Sequence, residues 1–149
     1  ALWGEGAQRA ALATLREALA AAESSRNPAA AATLAREQAR LEVAGNRPQA
    51  ALDLLRRMEP ALGGDAEALA LRGNAEQRLA LHADAAASYL AALRLKPTEG
   101  KWMLGAAISL AAGGDLDAAQ AWVDQARDRG AITPPIAAYL QQLGVAPSR

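Results

Sequence analysis

The side chains able to do chemistry are few and poorly placed for it. His82 is the sole histidine, and no cysteine occurs among the 149 residues. A metal site needs several imidazole, thiolate or carboxylate ligands, and a nucleophilic relay needs a base beside its Ser or Cys. His82 has no such companion in sequence and reads as a solvated turn residue. Carboxylates pair at Asp115 with Asp117 and at Asp124 with Asp128. Acid-base catalysis needs carboxyls held in surroundings that tune them. The first pair instead opens a helix, where negative charge meets the positive end of the backbone dipole, and the second stands on one exposed helical face. Gly63-Gly64 and Gly113-Gly114 lack the Lys-Ser/Thr ending and the strand context of a phosphate loop, and Ser24-Ser25 lies in a loop with nothing nucleophilic paired to it. The expectation is a protein with no catalytic residue, no metal ligands and no cofactor.

Charge and composition remove further classes. Sixteen Lys and Arg balance sixteen Asp and Glu. The balance holds in each half, nine against nine over residues 1–75 and seven against seven over 76–149. Neither half is a basic surface waiting for phosphates, so nucleic acid is not an expected partner. Without cysteine there is no disulfide framework and no thiol redox chemistry. No apolar run approaches the roughly 18 residues of a membrane helix, so this segment is expected not to insert in a membrane. The first residue is Ala1 rather than Met, which suggests a fragment or processed form of a longer chain.

The elements that must position any site are helices. Ala occurs 42 times and Leu 22 times, while Val and Ile are scarce; strong helix formers dominate and the β-branched residues of strands are missing. Breakers paired with caps fall at Asn27-Pro28, Gly45-Asn46, Gly63-Gly64-Asp65, Pro97-Thr98, Gly113-Gly114-Asp115 and Thr133-Pro134. Asn27, Asp65, Thr98, Asp115 and Thr133 are expected to accept hydrogen bonds from first-turn N–H groups, with Pro28 and Pro134 where a missing N–H costs nothing. This punctuation predicts an all-α chain of about eight helices, near 5–23, 28–44, 47–59, 65–81, 84–95, 98–112, 115–129 and 134–143. Short loops make neighbours antiparallel. Apolar residues recur at helical spacing in Ala50, Leu54 and Met58, in Ala85, Tyr89 and Ala92, and in Ala119, Val123 and Ala126. These sets are displaced by 35 and then 34 residues, the period of a helix-pair repeat whose apolar stripe is covered only when a neighbour stacks on it.

Residues 66–99 closely resemble the tetratricopeptide repeat: Leu69 and Gly73 in the first helix, Ala85, Tyr89 and Ala92 in the second, Pro97 closing the unit. Residues 100–133 follow in register, with Ala107 at the small position of the first helix. Residues 31–65 fit less well, with Arg57 where a small residue belongs. Residues 1–30 look like the second helix of a truncated repeat plus a linker, and 134–149 like a capping helix and tail, with Ile136, Tyr139, Leu140 and Leu143 on its packed side. The resemblance implies a right-handed α-solenoid of antiparallel helix pairs. A narrower likeness runs from Leu-Lys-Pro at 95–97 through Gly100 to Leu110, then Gly130-Ala131-Ile132 and the Tyr139 helix. It is similar to the tetratricopeptide accessory proteins of type IV pilus biogenesis, particularly those of mannose-sensitive haemagglutinin pili. In that family a membrane helix precedes a periplasmic repeat domain.

The family also implies where a partner binds. First helices line a concave groove, mainly through the second, fifth, ninth and twelfth positions of each repeat. Carried onto this chain those are Glu67, Ala70, Asn74 and Gln77, with Arg78 beside them, then Lys101, Leu104, Ile108 and Ala111; in the first repeat they are Ala32, Ala35, Ala39 and Glu42. Repeats that grip the C-terminal carboxylates of heat-shock chaperones place Lys and Arg around a central Asn. Asn74 fits that Asn, but Ala35, Ala39, Leu104 and Ile108 occupy the cation places, so that clamp is not expected. Trp102 and Trp122 read as interhelix packing, whereas Trp3 is expected to cover apolar surface or to lie against a second copy in a homodimer. The function implied is a noncatalytic scaffold holding a protein or peptide partner in its groove, in pilus or related secretion assembly in the periplasm. The alternatives are a cytosolic adaptor or chaperone using the same groove, and a self-associating structural module.

Overall fold

The computed structural model describes residues 2–147, with side chains from Gly4 onward; the Trp3 side chain lies outside the described residues. Among these there are nine helices and no strand: α1 Leu2–Ser24, α2 Pro28–Ala44, α3 Pro48–Arg57, α4 Glu59–Leu62, α5 Ala66–Arg78, α6 His82–Leu95, α7 Gly100–Ala112, α8 Leu116–Asp128 and α9 Pro134–Gln142. The extra helix comes from Pro60. Its ring has no N–H to donate to Arg56, so the helix expected over 47–59 stops at Arg57, and Pro60 opens a new single turn. No described helix is long and apolar enough to cross a membrane.

Capping follows the side chains in three places of five. Asn27, Asp65 and Asp115 accept hydrogen bonds from the backbone N–H of Ala30, Ala68 and Ala118 at 3.2, 3.1 and 3.2 Å. Thr98 does not cap, because α7 starts one residue later than expected and Glu99 stands at its N-cap; Thr133 holds the N-cap place of α9 but its hydroxyl makes no capping bond.

Helix ends obey a stricter rule. Arg26, Asn46, Ala80, Gly114, Gly130 and Gly144 all have positive φ. The following residue in each case donates back five positions, as in Arg47 to Glu42, Leu81 to Glu76 and Asp115 to Leu110. That is the left-handed closure that satisfies the last carbonyls of a helix. The turns at 46, 80 and 114 are spaced by 34 residues, as are the N-caps at 47, 81 and 115 and those at 65, 99 and 133.

This corrects the apolar register of α3. Ala51, Ala85 and Ala119 are each wholly buried, and Leu55, Tyr89 and Val123, then Met58, Ala92 and Ala126, follow at the same step of 34. Ala50 is exposed, and Met58 fills the small-residue place assigned to Arg57, which lies on the surface paired with Glu23. One residue turns a helix by about 100°, enough to move a side chain from the buried face to the flank.

Each long helix from α1 to α8 packs on the next, with α3 meeting α5 past the short α4; α2 also touches α5, and α5 touches α7. Ala35, Ala39, Ala75, Ala106 and Ala107 are fully buried, and such small side chains let helix axes approach toward the short end of the usual 8–10 Å. The core forms two apolar clusters. One gathers residues from α1 to α5, including Ala68 and Ala75; the other runs from Ala70 of α5 to Leu140 and Val145. On α9 Leu140 is the buried residue, whereas Tyr139, expected on the packed side, is exposed. The segment after α9 folds onto α8, where Gln120 and Ala146 exchange two hydrogen bonds of 2.9 Å.

Candidate binding groove

Contact of α2 with α5 and of α5 with α7 puts these helices side by side, and a cavity of about 400 Å³ opens among them. Arg40 comes from α2, Glu67, Ala70, Leu71 and Asn74 from α5, and Lys101 and Trp102 from α7. Tyr89 reaches the same cavity from α6. Two glycines make room for its ring. A Cβ on Gly73 would stand 2.9 Å from Tyr89 Cδ2, and one on Gly105 would stand 2.5 Å from Cζ. Only residues without a side chain let α5 and α7 receive the ring. Tyr89 is buried apart from 6% of its surface. Burial pushes its phenol up to about 12, with the charge of Arg78 pulling the other way.

Polar side chains around the cavity are partly committed. Arg40 donates to Glu37 Oε1 at 2.6 Å and to Glu67 Oε2 at 2.9 Å, so the carboxylate of α5 holds α2 beside it. Arg36, one turn earlier, bonds Asp65 Oδ2 at 2.6 Å, which raises its guanidinium pKa above the ordinary arginine value. Asn74 Oδ1 accepts from Arg78 Nε at 3.0 Å, and Arg78 Nη1 donates to the Val43 carbonyl at 3.2 Å. Lys101 is exposed and forms no ion pair with a described residue.

Of the eight groove residues expected from the sequence, Glu67, Ala70, Asn74 and Lys101 line the cavity. The other four hold helices together. Gln77 Nε2 donates to the Gly105 carbonyl at 3.1 Å and to Ser109 Oγ at 2.8 Å, tying α5 to α7. Arg78 ties α5 to the end of α2. Leu104 is buried in the second apolar cluster, and Ile108 packs on it half-buried. In the first unit Ala35 and Ala39 are fully buried, Glu42 nearly so and Ala32 half-buried. The open positions belong to Arg36 and Arg40, one residue on. A strict step of 34 back from Asn74 lands on Arg40, which was the signal that could have found it. Tyr89 and Trp102 were assigned to packing; both pack on the second cluster and both line the cavity. Trp122 is half-buried against the same cluster.

Chemistry of other kinds finds little here. His82 opens α6, is half-buried rather than solvated, and its Nδ1 has no hydrogen-bond partner among the described residues. No group of three or more His, Asp or Glu among the described residues is placed to hold a metal ion. No protein-family model matches the chain, and no curated protein does.

Proposed function

We propose that this chain is a noncatalytic protein-interaction scaffold, a right-handed solenoid of antiparallel helix pairs in the tetratricopeptide manner, that binds an extended peptide or helix of a partner. The observation that carries the proposal is the direct contact of α2, α5 and α7, with one cavity open among them and a second-helix tyrosine at its floor. The recurrence of turns and caps every 34 residues supports stacked, equivalent units. A groove with apolar walls and a few polar groups suits a peptide anchored by apolar side chains and kept in register by hydrogen bonds. The C-terminal likeness to pilus accessory proteins supports a setting in type IV pilus or related secretion assembly, in the periplasm behind an upstream membrane helix.

Selection from a random peptide display library tests the groove. Enriched peptides, added to the isotopically labelled chain, should shift the resonances of Asn74, Lys101 and Trp102. Asn74→Arg, which fills the groove from a half-buried position, should abolish binding without lowering the melting temperature. Enriched peptides that map to another face, or that bind the Asn74→Arg variant unchanged, would defeat the proposal. The setting is checked separately by the upstream coding sequence, which should contain one apolar span of about 20 residues.

A further inference from the structure

The uncommitted polar groups of the cavity are almost all donors. Asn74 has its oxygen taken by Arg78, leaving the two N–H bonds of its amide. The Tyr89 hydroxyl and the Trp102 indole N–H line the cavity, and neither has a hydrogen-bond partner among the described residues. Lys101 adds a positive charge with no counter-ion among them. The one acid of the cavity, Glu67, already faces Arg40 at 2.9 Å and Arg36 at 3.8 Å, so two cations stand against its single charge. A cationic ligand would meet Lys101 and leave these donors unpaired, which is how a site rejects the wrong partner. A peptide carbonyl answers one or two donors. A carboxylate, with about four lone-pair sites, answers several at once and gains charge-assisted bonds.

We propose that the cavity captures a single carboxylate of the bound peptide, at its chain terminus or on an Asp or Glu side chain, through Lys101 Nζ, the Tyr89 hydroxyl, the Asn74 amide and the Trp102 indole N–H. The proposal rests on the groove being the binding face and adds the group it recognises. With Leu104 and Ile108 buried in the core, α7 brings Lys101 alone as a cation to the cavity, and the remaining donors are neutral. Ala70 and Leu71 supply the wall for the carbon chain behind the carboxylate.

Three small probes test it by nuclear magnetic resonance on the full 149-residue chain: N-acetylalanine for a terminal carboxylate, N-acetylglutamic α-amide for a side-chain carboxylate, and N-acetylalaninamide as the neutral control. At least one acid should shift the Trp102 indole and Asn74 side-chain amide signals saturably, leaving the Trp122 indole in place; which acid saturates identifies the source. Lys101→Gln and Tyr89→Phe should each weaken that binding about tenfold, with melting of the exposed Lys101→Gln variant unchanged. Equal binding of the neutral control, no saturable shift from either acid, or unchanged affinity in Lys101→Gln would overturn the carboxylate assignment. Display-selected peptides separate the two levels. Amidated, acid-free peptides that map to the groove would remove the carboxylate and keep the groove, whereas acids binding elsewhere and peptides mapping elsewhere would remove both.

Discussion

Gly105→Ala puts a methyl group where the Tyr89 ring already stands. On propensity alone the change favours folding, since alanine is better than glycine inside a helix by about 1 kcal/mol. Packing opposes it: the new Cβ would lie 2.5, 2.6 and 2.7 Å from Tyr89 Cζ, Cε1 and Cε2. The ring cannot retreat, because its other edge is already set against Gly73. Overpacking of this kind costs about 1–3 kcal/mol, and contacts this short belong at the upper end, so the net expectation is a loss of about 2 kcal/mol. In a Tyr89→Leu background the obstructing atoms are gone and only propensity remains, so Gly105→Ala should then stabilise by about 1 kcal/mol. The two backgrounds differ by about 3 kcal/mol, a coupling well above the error of a double-mutant cycle. Urea unfolding of the four proteins, followed by helical circular dichroism, measures it. Stabilisation in both backgrounds would mean that Tyr89 does not occupy the slot; equal destabilisation in both would mean that something other than the ring resists the methyl.

The turns provide a second test: Ala80 and Gly114 hold equivalent left-handed positions at φ +60° and +93°. Ala80→Gly should therefore raise stability by about 1 kcal/mol and Gly114→Ala lower it by about as much, and a flat urea midpoint for both would refute the equivalence. A third concerns pH, because the Tyr89 phenol is raised in the folded state to about 12. Its contribution is fully present below the unfolded value near 10 and is lost as pH rises toward about 12, since the unfolded chain gives up its proton first. The loss comes to about 2–3 kcal/mol, so the stabilities of the wild type and Tyr89→Phe should diverge from parallel across that window. Curves that stay parallel from neutral pH to 12 would show that the hydroxyl is not shielded.

The helical class and most helix starts were legible because they depend on local chemistry. Asn27, Asp65 and Asp115 cap wherever a short acceptor precedes the helix. The register of α3 was not, because Ala50 and Ala51 are chemically identical and differ only in which neighbour they face. That single-residue slip carried over to α2 and hid Arg36 and Arg40 behind Ala35 and Ala39. Gln77 and Arg78 were misread for a different reason: their side chains are long enough to reach backbone carbonyls at Gly105 and Val43 on other helices, and no pattern within α5 records those acceptors. Tyr89 shows the limit most plainly. Its spacing in α6 marks a core residue, and its access to the cavity depends on Gly73 and Gly105 standing on two separate helices.

The helices flanking α5 are fastened to it by different means. On the α2 side the ties include the ion pairs of Arg36 with Asp65 and of Arg40 with Glu67, which are partly open to solvent. On the α7 side the tie is neutral, Gln77 to the Gly105 carbonyl and the Ser109 hydroxyl. Dissolved salt screens the first kind and leaves the second almost untouched. The groove is thus a caliper with one fixed jaw and one jaw whose grip follows the ionic strength, and its aperture widens from the α2 side alone.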